Sequence, residues 1–104
     1  MTVIALSRIE PHLLLELTVS HVEIDPLVME TPLLGLEFMT KPRILLKALA
    51  ISLELGLRVT IQVSDARTHA HYPSRRGVHY RPGEIIFIAM NHNGHSEVVH
   101  VFEF

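Results

Sequence analysis

The chain has 104 residues and a net charge of −2, with 48% hydrophobic residues and a mean hydropathy of +0.31. This length is typical of one folded domain, so we expect residues 1–104 to form a single domain. The sequence contains no cysteine, which excludes disulfides and thiolate metal sites.

The hydrophobic content is high for a chain of this size. A dense core would explain it, and so would a homo-oligomer, such as a homodimer, that covers part of the apolar surface; we expect the homo-oligomer. Met1–Arg8 has no basic region ahead of its apolar residues, unlike a signal peptide. The most apolar window, Ile44–Leu57, is too short to span a bilayer. We therefore expect a cytoplasmic protein without a membrane partner.

Positive charge is concentrated in one segment, residues 58–81, which has a net charge of +4 while the rest of the chain carries −6. The segment contains one acid, Asp65, and five arginines: Arg58, Arg67, Arg75, Arg76 and Arg81. Such asymmetry indicates an anionic partner, and we expect an anionic small molecule or a nucleic acid. Neutralisation by the acidic N-terminal part of the chain, within the fold or across a dimer, is the alternative.

The first predicted elements are two strands, residues 2–9 and 12–24, joined as a hairpin. In the second strand the apolar residues change from odd to even positions after Ser20, which predicts a β-bulge or a strong twist near Ser20 and His21. Residues 33–39 form either a short strand or an irregular lid over the core.

The clearest local pattern is a helix followed directly by a strand. Thr40 is a suitable N-cap and Gly56 a suitable C-cap, which predicts a helix over about residues 41–55. From Leu57 to Ser64 apolar and polar residues alternate without a break. This alternation predicts a strand with one face on the core.

The last part of the chain begins with a long segment, residues 65–83, that has no apolar periodicity. A loop of this length is usually functional or disordered, and its aromatic residues and arginines favour an ordered, functional loop. Ile85–Met90 is apolar throughout and predicts a strand buried on both faces. Asn91–Gly94 predicts a hairpin turn into a return strand, residues 97–104, with the even-numbered residues on one face. The order β-β-(β)-α-β-loop-β-β predicts an α+β fold: a mostly antiparallel sheet of five to six strands with one helix packed on one face.

Histidine is the most suggestive residue type for chemistry, because six of the eight histidines follow residue 68. His69 and His71 would point the same way in an extended segment, and His79 closes the same loop. His100 lies in the hairpin that begins next to this loop, and Glu84 adds a carboxylate. Three such ligands with an open position are the pattern of a catalytic zinc site.

The leading functional prediction is therefore a zinc-dependent hydrolase that acts on an anionic substrate. Glu84 would be a ligand or the base, and Arg67 or Arg81 would orient the anionic group. The predicted catalytic residues are Glu84, Arg67 and Arg81, and the predicted zinc ligands are His69, His71, His79 and His100.

Two alternatives need no metal. The first is a non-enzymatic binding module for nucleic acid or an acidic protein, in which segment 58–81 binds the partner through Arg75, Arg76, Tyr80 and Arg81. The second is a metal-free ribonuclease with histidines as acid and base and arginines on an oxyanion. In either, Tyr72 and Tyr80 would stack on bases. Histidines that converge in a concave site would favour an enzyme, and arginines spread over an exposed face would favour binding.

The predicted helix and strand, followed by Gly77–Gly83 and Val99–Val101, resemble the core of the zinc D-Ala-D-Ala peptidases. That resemblance implies that His79 and His100 are zinc ligands and that Arg67 holds the substrate carboxylate. It covers roughly the last sixty residues of the chain, while the predicted N-terminal hairpin is unlike the family.

The chain also departs from that family at the motif itself. The spacing from His79 to Gly83 is one residue longer, and the ligand aspartate would fall at Ile86 or Phe87, which cannot coordinate a metal. The run from His79 to Phe87 is similar to a cupin metal motif, without the second histidine. A long helix in the middle of the chain does not fit a cupin barrel, so neither resemblance identifies a family.

Overall fold

A computed structural model describes residues 20–30, 43–75 and 77–102 of the chain. The elements in these ranges are β1 (Val22–Ile24), α1 (Pro26–Glu30), α2 (Arg43–Leu55), β2 (Val59–Val63), α3 (Thr68–His71), β3 (Ile85–Met90) and β4 (Ser96–Val101). None of the helices in this part of the chain is long and apolar enough to cross a membrane.

The described strands form one sheet in the order β1-β2-β3-β4. β1 pairs parallel with β2, whereas the β2–β3 and β3–β4 pairs are antiparallel. The parallel pair needs a crossover, and the chain between its two strands includes α1 and α2. The predicted α+β class is confirmed as a mixed sheet with helices. The predicted total of five to six strands is not confirmed, since this sheet has four and the predictions for residues 2–9 and 33–39 lie outside the described ranges.

The bulge predicted near Ser20 and His21 is wrong. Both residues are helical, and the strand begins at Val22. The change in apolar phase there marks a junction between helical and extended backbone. Of the strand predicted over residues 12–24, the structure describes only this last part.

A register shift occurs instead in the last hairpin. Phe87 pairs with His100, whereas the next residue of β3, Ile88, pairs with Val98. Val99 is therefore an extra residue in β4, as in a β-bulge. Because paired residues share a face, His100 lies on the face of Phe87 and Val98 on the face of Ile88. The predicted common face for the even-numbered residues is wrong for this reason.

Helix α2 ends as its sequence predicts. Gly56 has a φ of +68°, which a residue with a side chain rarely adopts, and both its N–H and that of Leu57 donate to the Ser52 carbonyl, at 2.9 and 3.3 Å. The buried Ser52 hydroxyl donates to the carbonyls of Leu57 (2.6 Å) and His21 (3.2 Å). These bonds join the end of the helix to the starts of β1 and β2, on which it packs.

Strand β3 is central in the described sheet and is buried on both faces from Ile85 to Ala89, as predicted. On one face lies the helix-side core, whose buried residues are Val22, Val28, Ile44, Ala48, Leu49, Val59, Ile61, Ile85, Phe87 and Ala89. On the other lies the loop-side core, which consists of Tyr80, Ile86, Ile88 and Val98 with Tyr72, Val78 and Val101 packed against them. The chain must therefore cover both sides of this strand.

The turn between β3 and β4 also follows the prediction. The Asn91 N–H donates to the His95 carbonyl at 2.8 Å, and the Gly94 N–H donates to the Asn91 carbonyl at 3.0 Å. The Asn91 side-chain oxygen accepts from the N–H groups of Asn93 and His95. Asn91 thus fixes the turn, while Gly94 supplies the positive φ, +81°.

We expect Gly56→Ala to lower the free energy of unfolding by about 1 kcal/mol, because an L side chain is strained at this φ. A Cβ at this position would meet no heavy atom of the described residues within 4 Å, so a steric clash would not contribute. Gly56→Asn is the matched control and should lose less, since Asn tolerates this conformation. Urea denaturation of the three proteins measures the difference; equal losses for Ala and Asn would contradict the explanation.

Candidate functional site

The segment predicted to be functional, Asp65–Glu84, forms a loop that we call the basic loop and that the structure describes except at Arg76. Its two ends meet at the buried residue Ser64. The Gly83 N–H donates to the Ser64 carbonyl at 2.7 Å, and the Ser64 N–H donates to the Glu84 carbonyl at 2.9 Å. The Ser64 hydroxyl donates to the Arg81 carbonyl and accepts from the Glu84 N–H at 3.2 Å. Close ends and internal packing are the features of an Ω-loop.

The first turn of the basic loop is held by Asp65 and Thr68. The Asp65 carboxylate accepts from the Arg67 N–H at 2.7 Å and from the Thr68 hydroxyl at 3.2 Å. In return the Asp65 N–H donates to the Thr68 hydroxyl oxygen at 2.7 Å. The bond from the Arg67 N–H lowers the pKa of Asp65 most; burial, the next largest effect, raises it, and the bonds from Thr68 lower it again, so that it lies below the ordinary value of 3.8. This turn fixes where α3 begins.

The middle of the basic loop pairs with the outer edge of β4. The Val98 N–H donates to the Pro73 carbonyl at 3.0 Å, and the Arg75 N–H donates to the Val98 carbonyl at 2.8 Å. Ser74 and Val98 form an isolated parallel bridge. The loop thus satisfies backbone groups on an edge that would otherwise be open.

The inner surface of the basic loop is apolar and aromatic. Tyr72 and Val78 pack against the loop-side core, and Tyr80 is part of it with only 4% of its surface exposed. The Tyr80 hydroxyl donates to the Tyr72 carbonyl. Burial raises the pKa of the Tyr80 hydroxyl above its ordinary value of 10.0. The base-stacking role predicted for Tyr80 requires an accessible ring, whereas this ring lies in the core.

His69 covers the buried tyrosine. Its ring is stacked on that of Tyr80, with the centroids 4.0 Å apart and an angle of 5° between the planes. His69 itself is exposed. His71 is also exposed, but its ring is tilted by 57° to that of Tyr72 at a distance of 6.3 Å. The two histidines of α3 therefore have different environments.

The outer surface of the basic loop carries its positive charge. Arg67, Arg75 and Arg81 are exposed, and none of them forms an ion pair within the described part of the chain. His79 is exposed as well. Arg76 lies outside the described residues.

The three described arginines of the loop are widely spaced. Arg67 and Arg81 are tied by backbone bonds to Ser64 and Asp65, at the end of β2. Arg75 is tied to Val98, two strands away and further along the sheet. Strand spacing and rise place its backbone on the order of 15 Å from the other two.

The fifth arginine of the predicted basic segment is separate. Arg58 precedes β2, at the opposite end of that strand from Ser64. Its guanidinium lies 4.0 Å from the Glu23 carboxylate, and both side chains are more than half exposed. An ion pair of this kind contributes little to stability. Arg58 is therefore no part of the basic loop and provides a natural comparison for it.

His100 does not join the other predicted zinc ligands. Its ring lies 5.3 Å from that of Phe87, on the helix side of the sheet, beside a pocket of about 440 Å³ lined by Lys47, His100, Val101 and Phe102. His69 stacks on Tyr80, which belongs to the loop side. The sheet thus lies between His100 and the basic loop.

The remaining predicted ligand, Glu84, takes part in the turn that closes the loop. Its carboxylate accepts from the Arg81 N–H at 2.6 Å. Within residues 20–30, 43–75 and 77–102, no three His, Asp or Glu side chains are grouped so that they could hold a metal ion. The zinc site and the hydrolase activity remain predictions from the sequence.

A second pocket, of about 280 Å³, lies at the end of α2 and is lined in part by Ser20, His21 and Arg58. Neither of these two pockets is lined by residues of the basic loop. The loop's charged residues are instead presented on its outer surface. We expected converging histidines in a concave site for an enzyme and exposed, spread arginines for a binding module. The described arginines of the loop have the second arrangement.

The residues that hold the loop in place were not predicted from the sequence. The strand pattern presents Ser64 only as a polar end residue and assigns no role to Thr68. An aspartate followed three residues later by a threonine is a recognised turn signal, so Asp65 and Thr68 could have been found. The role of Ser64 depends on Arg81 and Glu84, which are distant in sequence and give no such signal.

Comparison of the chain with known protein families, characterised proteins and solved structures finds no match. A function must therefore be inferred from the residues of the site.

We expect Ser64→Ala to lower the free energy of unfolding by about 1–3 kcal/mol, because the Glu84 N–H and the Arg81 carbonyl lose their common partner at a buried position. Hydrogen exchange at the Glu84 amide should accelerate. The control is Ser96→Ala, at a half-buried serine whose hydroxyl forms no hydrogen bond within the described structure. Similar losses for the two variants in chemical denaturation would contradict a special role for Ser64.

Asp65→Asn should change how stability depends on pH. Folding lowers the pKa of Asp65, so its negative charge stabilises the folded state at pH values above the ordinary pKa of 3.8. This contribution disappears as the pH falls through the lower pKa that Asp65 has in the folded state. The stability difference between wild type and variant should be constant above about pH 5 and shrink below it. Denaturation midpoints measured between about pH 2.5 and 7 test this; a pH-independent difference would rule it out.

Proposed function

We propose that this protein is a non-enzymatic binding module whose basic loop binds the phosphate backbone of a nucleic acid. The observation that carries the proposal is the exposure of Arg67, Arg75 and Arg81 on an ordered loop, without ion pairs inside the described part of the chain. Exposed arginines of this kind can donate two hydrogen bonds to a phosphate without first breaking an internal ion pair.

The spacing of the arginines favours an extended polyanion over a single anionic group. Arg75 lies on the order of 15 Å from Arg67 and Arg81 in the backbone, so the three exposed arginines are spread along the loop. A nucleic-acid strand carries one negative charge about every 3.4 Å along its axis. Over this distance it presents several phosphates to the loop.

The two acidic residues of the loop reduce the positive charge on its outer surface less than their number suggests. The carboxylates of Asp65 and Glu84 accept backbone N–H bonds from Arg67 and Arg81, which directs them into the turns of the loop. The guanidinium groups are at the same end of the loop but exposed. The rest of the chain is negatively charged. Electrostatic forces would therefore orient the protein with its basic loop facing an approaching polyanion.

The test is a triple variant, Arg67→Ala, Arg75→Ala and Arg81→Ala, assayed by fluorescence anisotropy on labelled oligonucleotides at several salt concentrations. We expect weaker binding and a shallower dependence of log affinity on log salt, by about 0.9 for each phosphate that the variant no longer neutralises. The matched control is Arg58→Ala, which also removes one exposed arginine but lies away from the loop. It should leave both quantities nearly unchanged.

The same assay separates nucleic acid from an acidic protein as the partner. Poly-glutamate of comparable charge serves as a competitor for the labelled oligonucleotide. If poly-glutamate competes as well as unlabelled oligonucleotide, the partner is an acidic protein and the proposal is wrong. Binding that is absent, independent of salt, or equally weakened by Arg58→Ala would also exclude it.

A further inference from the structure

We infer that the basic loop takes single-stranded nucleic acid and that the exposed face of His69 stacks on an unpaired base. This inference depends on the proposed function and specifies its ligand. It arises from a feature that phosphate binding does not use, the parallel stack of His69 on Tyr80.

The Tyr80 ring, on which His69 stacks, is held in the loop-side core. Tyr80 is buried in the loop-side core, and its hydroxyl donates to the Tyr72 carbonyl, so that the tyrosine ring has no freedom to turn away. The centroids of the two rings are 4.0 Å apart and their planes differ by 5°. The imidazole therefore lies flat on a rigid aromatic surface.

The backbone next to His69 is also held in place. His69 directly follows Thr68, which is buried and hydrogen-bonded to Asp65 at the start of α3. These bonds hold the backbone from which the His69 side chain extends, and the stack on Tyr80 orients its ring. A group held in place before binding loses little conformational entropy when a ligand arrives.

One face of the His69 ring remains available. The residue is exposed, and Tyr80 occupies only the inner face of its imidazole. A planar group of similar size can continue the stack on the outer face. Nucleobases are such groups, and histidine is among the side chains on which unpaired bases stack.

The surrounding charges fit a strand that passes over this ring. Arg67 precedes His69 by two residues, and Arg81 follows Tyr80 directly. The phosphates next to a base stacked on His69 would lie near these two arginines. A duplex cannot use the same site, because its bases are already stacked on each other and are not accessible from the side.

The experiment compares three ligands of about 12 nucleotides, a length within the range that single-strand binding modules cover. They are a single strand, the duplex of the same sequence, and a single strand with abasic positions that keeps the phosphates; the single strand is tested as DNA and as RNA. The proteins are wild type, His69→Ala and His69→Phe, with His71→Ala as the matched control. His71 is also an exposed histidine of the same helix, but it does not lie flat on a buried ring.

For the single strand we expect His69→Ala to weaken binding by about 5- to 150-fold, the effect of removing one base–aromatic stack. His69→Phe keeps a flat ring and should stay close to wild type, as should His71→Ala. On the duplex and on the abasic strand, His69→Ala should have almost no effect. In wild type, NMR signals of the His69 ring protons should move upfield with the intact single strand only.

Two results would overturn the inference. One is equal weakening of all three ligands by His69→Ala, which would make His69 a structural support of the loop. The other is the lack of an upfield shift in the wild-type protein, which needs no variant and so does not depend on whether a variant folds. In both cases salt-dependent binding through the arginines would still stand. If wild type binds none of the ligands, the proposed function itself fails.

Discussion

The burial of β3 on both faces is the constraint on which the rest of the structure depends. Five consecutive residues, from Ile85 to Ala89, are removed from water, and their side chains alternate between the two sides of the sheet. Helices α1 and α2 cover one side, while the basic loop covers the other. A segment with the composition of a surface loop is therefore required for the fold.

This requirement explains how the loop can be ordered and still present charge. Its inner residues, Tyr72, Val78 and Tyr80, pack on the sheet, whereas Arg75 and His79 between them are exposed. Ser64 ties the ends together, and Val98 holds the middle. The arginines and His69 thus lie on a support that does not have to form when a ligand binds, in contrast to loops that become ordered only on binding.

Local sequence patterns predicted the local structure well. The alternation after Gly56, the apolar run at Ile85–Met90 and the turn at Asn91–Gly94 each follow from nearby residues, and each is found where it was expected. The parallel pairing of β1 with β2 could not be predicted in this way, because it joins segments more than thirty residues apart. Pairing partners depend on tertiary packing, which a short pattern does not record.

The separation of His100 from the other predicted site residues has an equally specific reason. One extra residue in β4, Val99, changes the face on which the following side chains lie and places His100 on the helix side. In the run Val98–Val101, apolar residues occur at both even and odd positions. The alternation of apolar and polar residues therefore does not reveal the bulge. A binding role was predicted for Tyr80 because aromatic residues among arginines and histidines are typical of binding sites. The residues next to Tyr80 in the sequence do not indicate that its ring is buried against Ile86 and Ile88.

The attachment of the loop to the outer edge of β4 has a consequence for self-association. If the loop opens, Ile86, Ile88 and Val98 lose their cover at the same moment as the Val98 amide and carbonyl lose their partners. A flat apolar surface beside an unpaired strand edge is a template for intermolecular β-sheet formation and aggregation. Any ligand that binds only the closed loop would reduce this risk by mass action, so the partner of the outer surface would also act as a protector of the inner one.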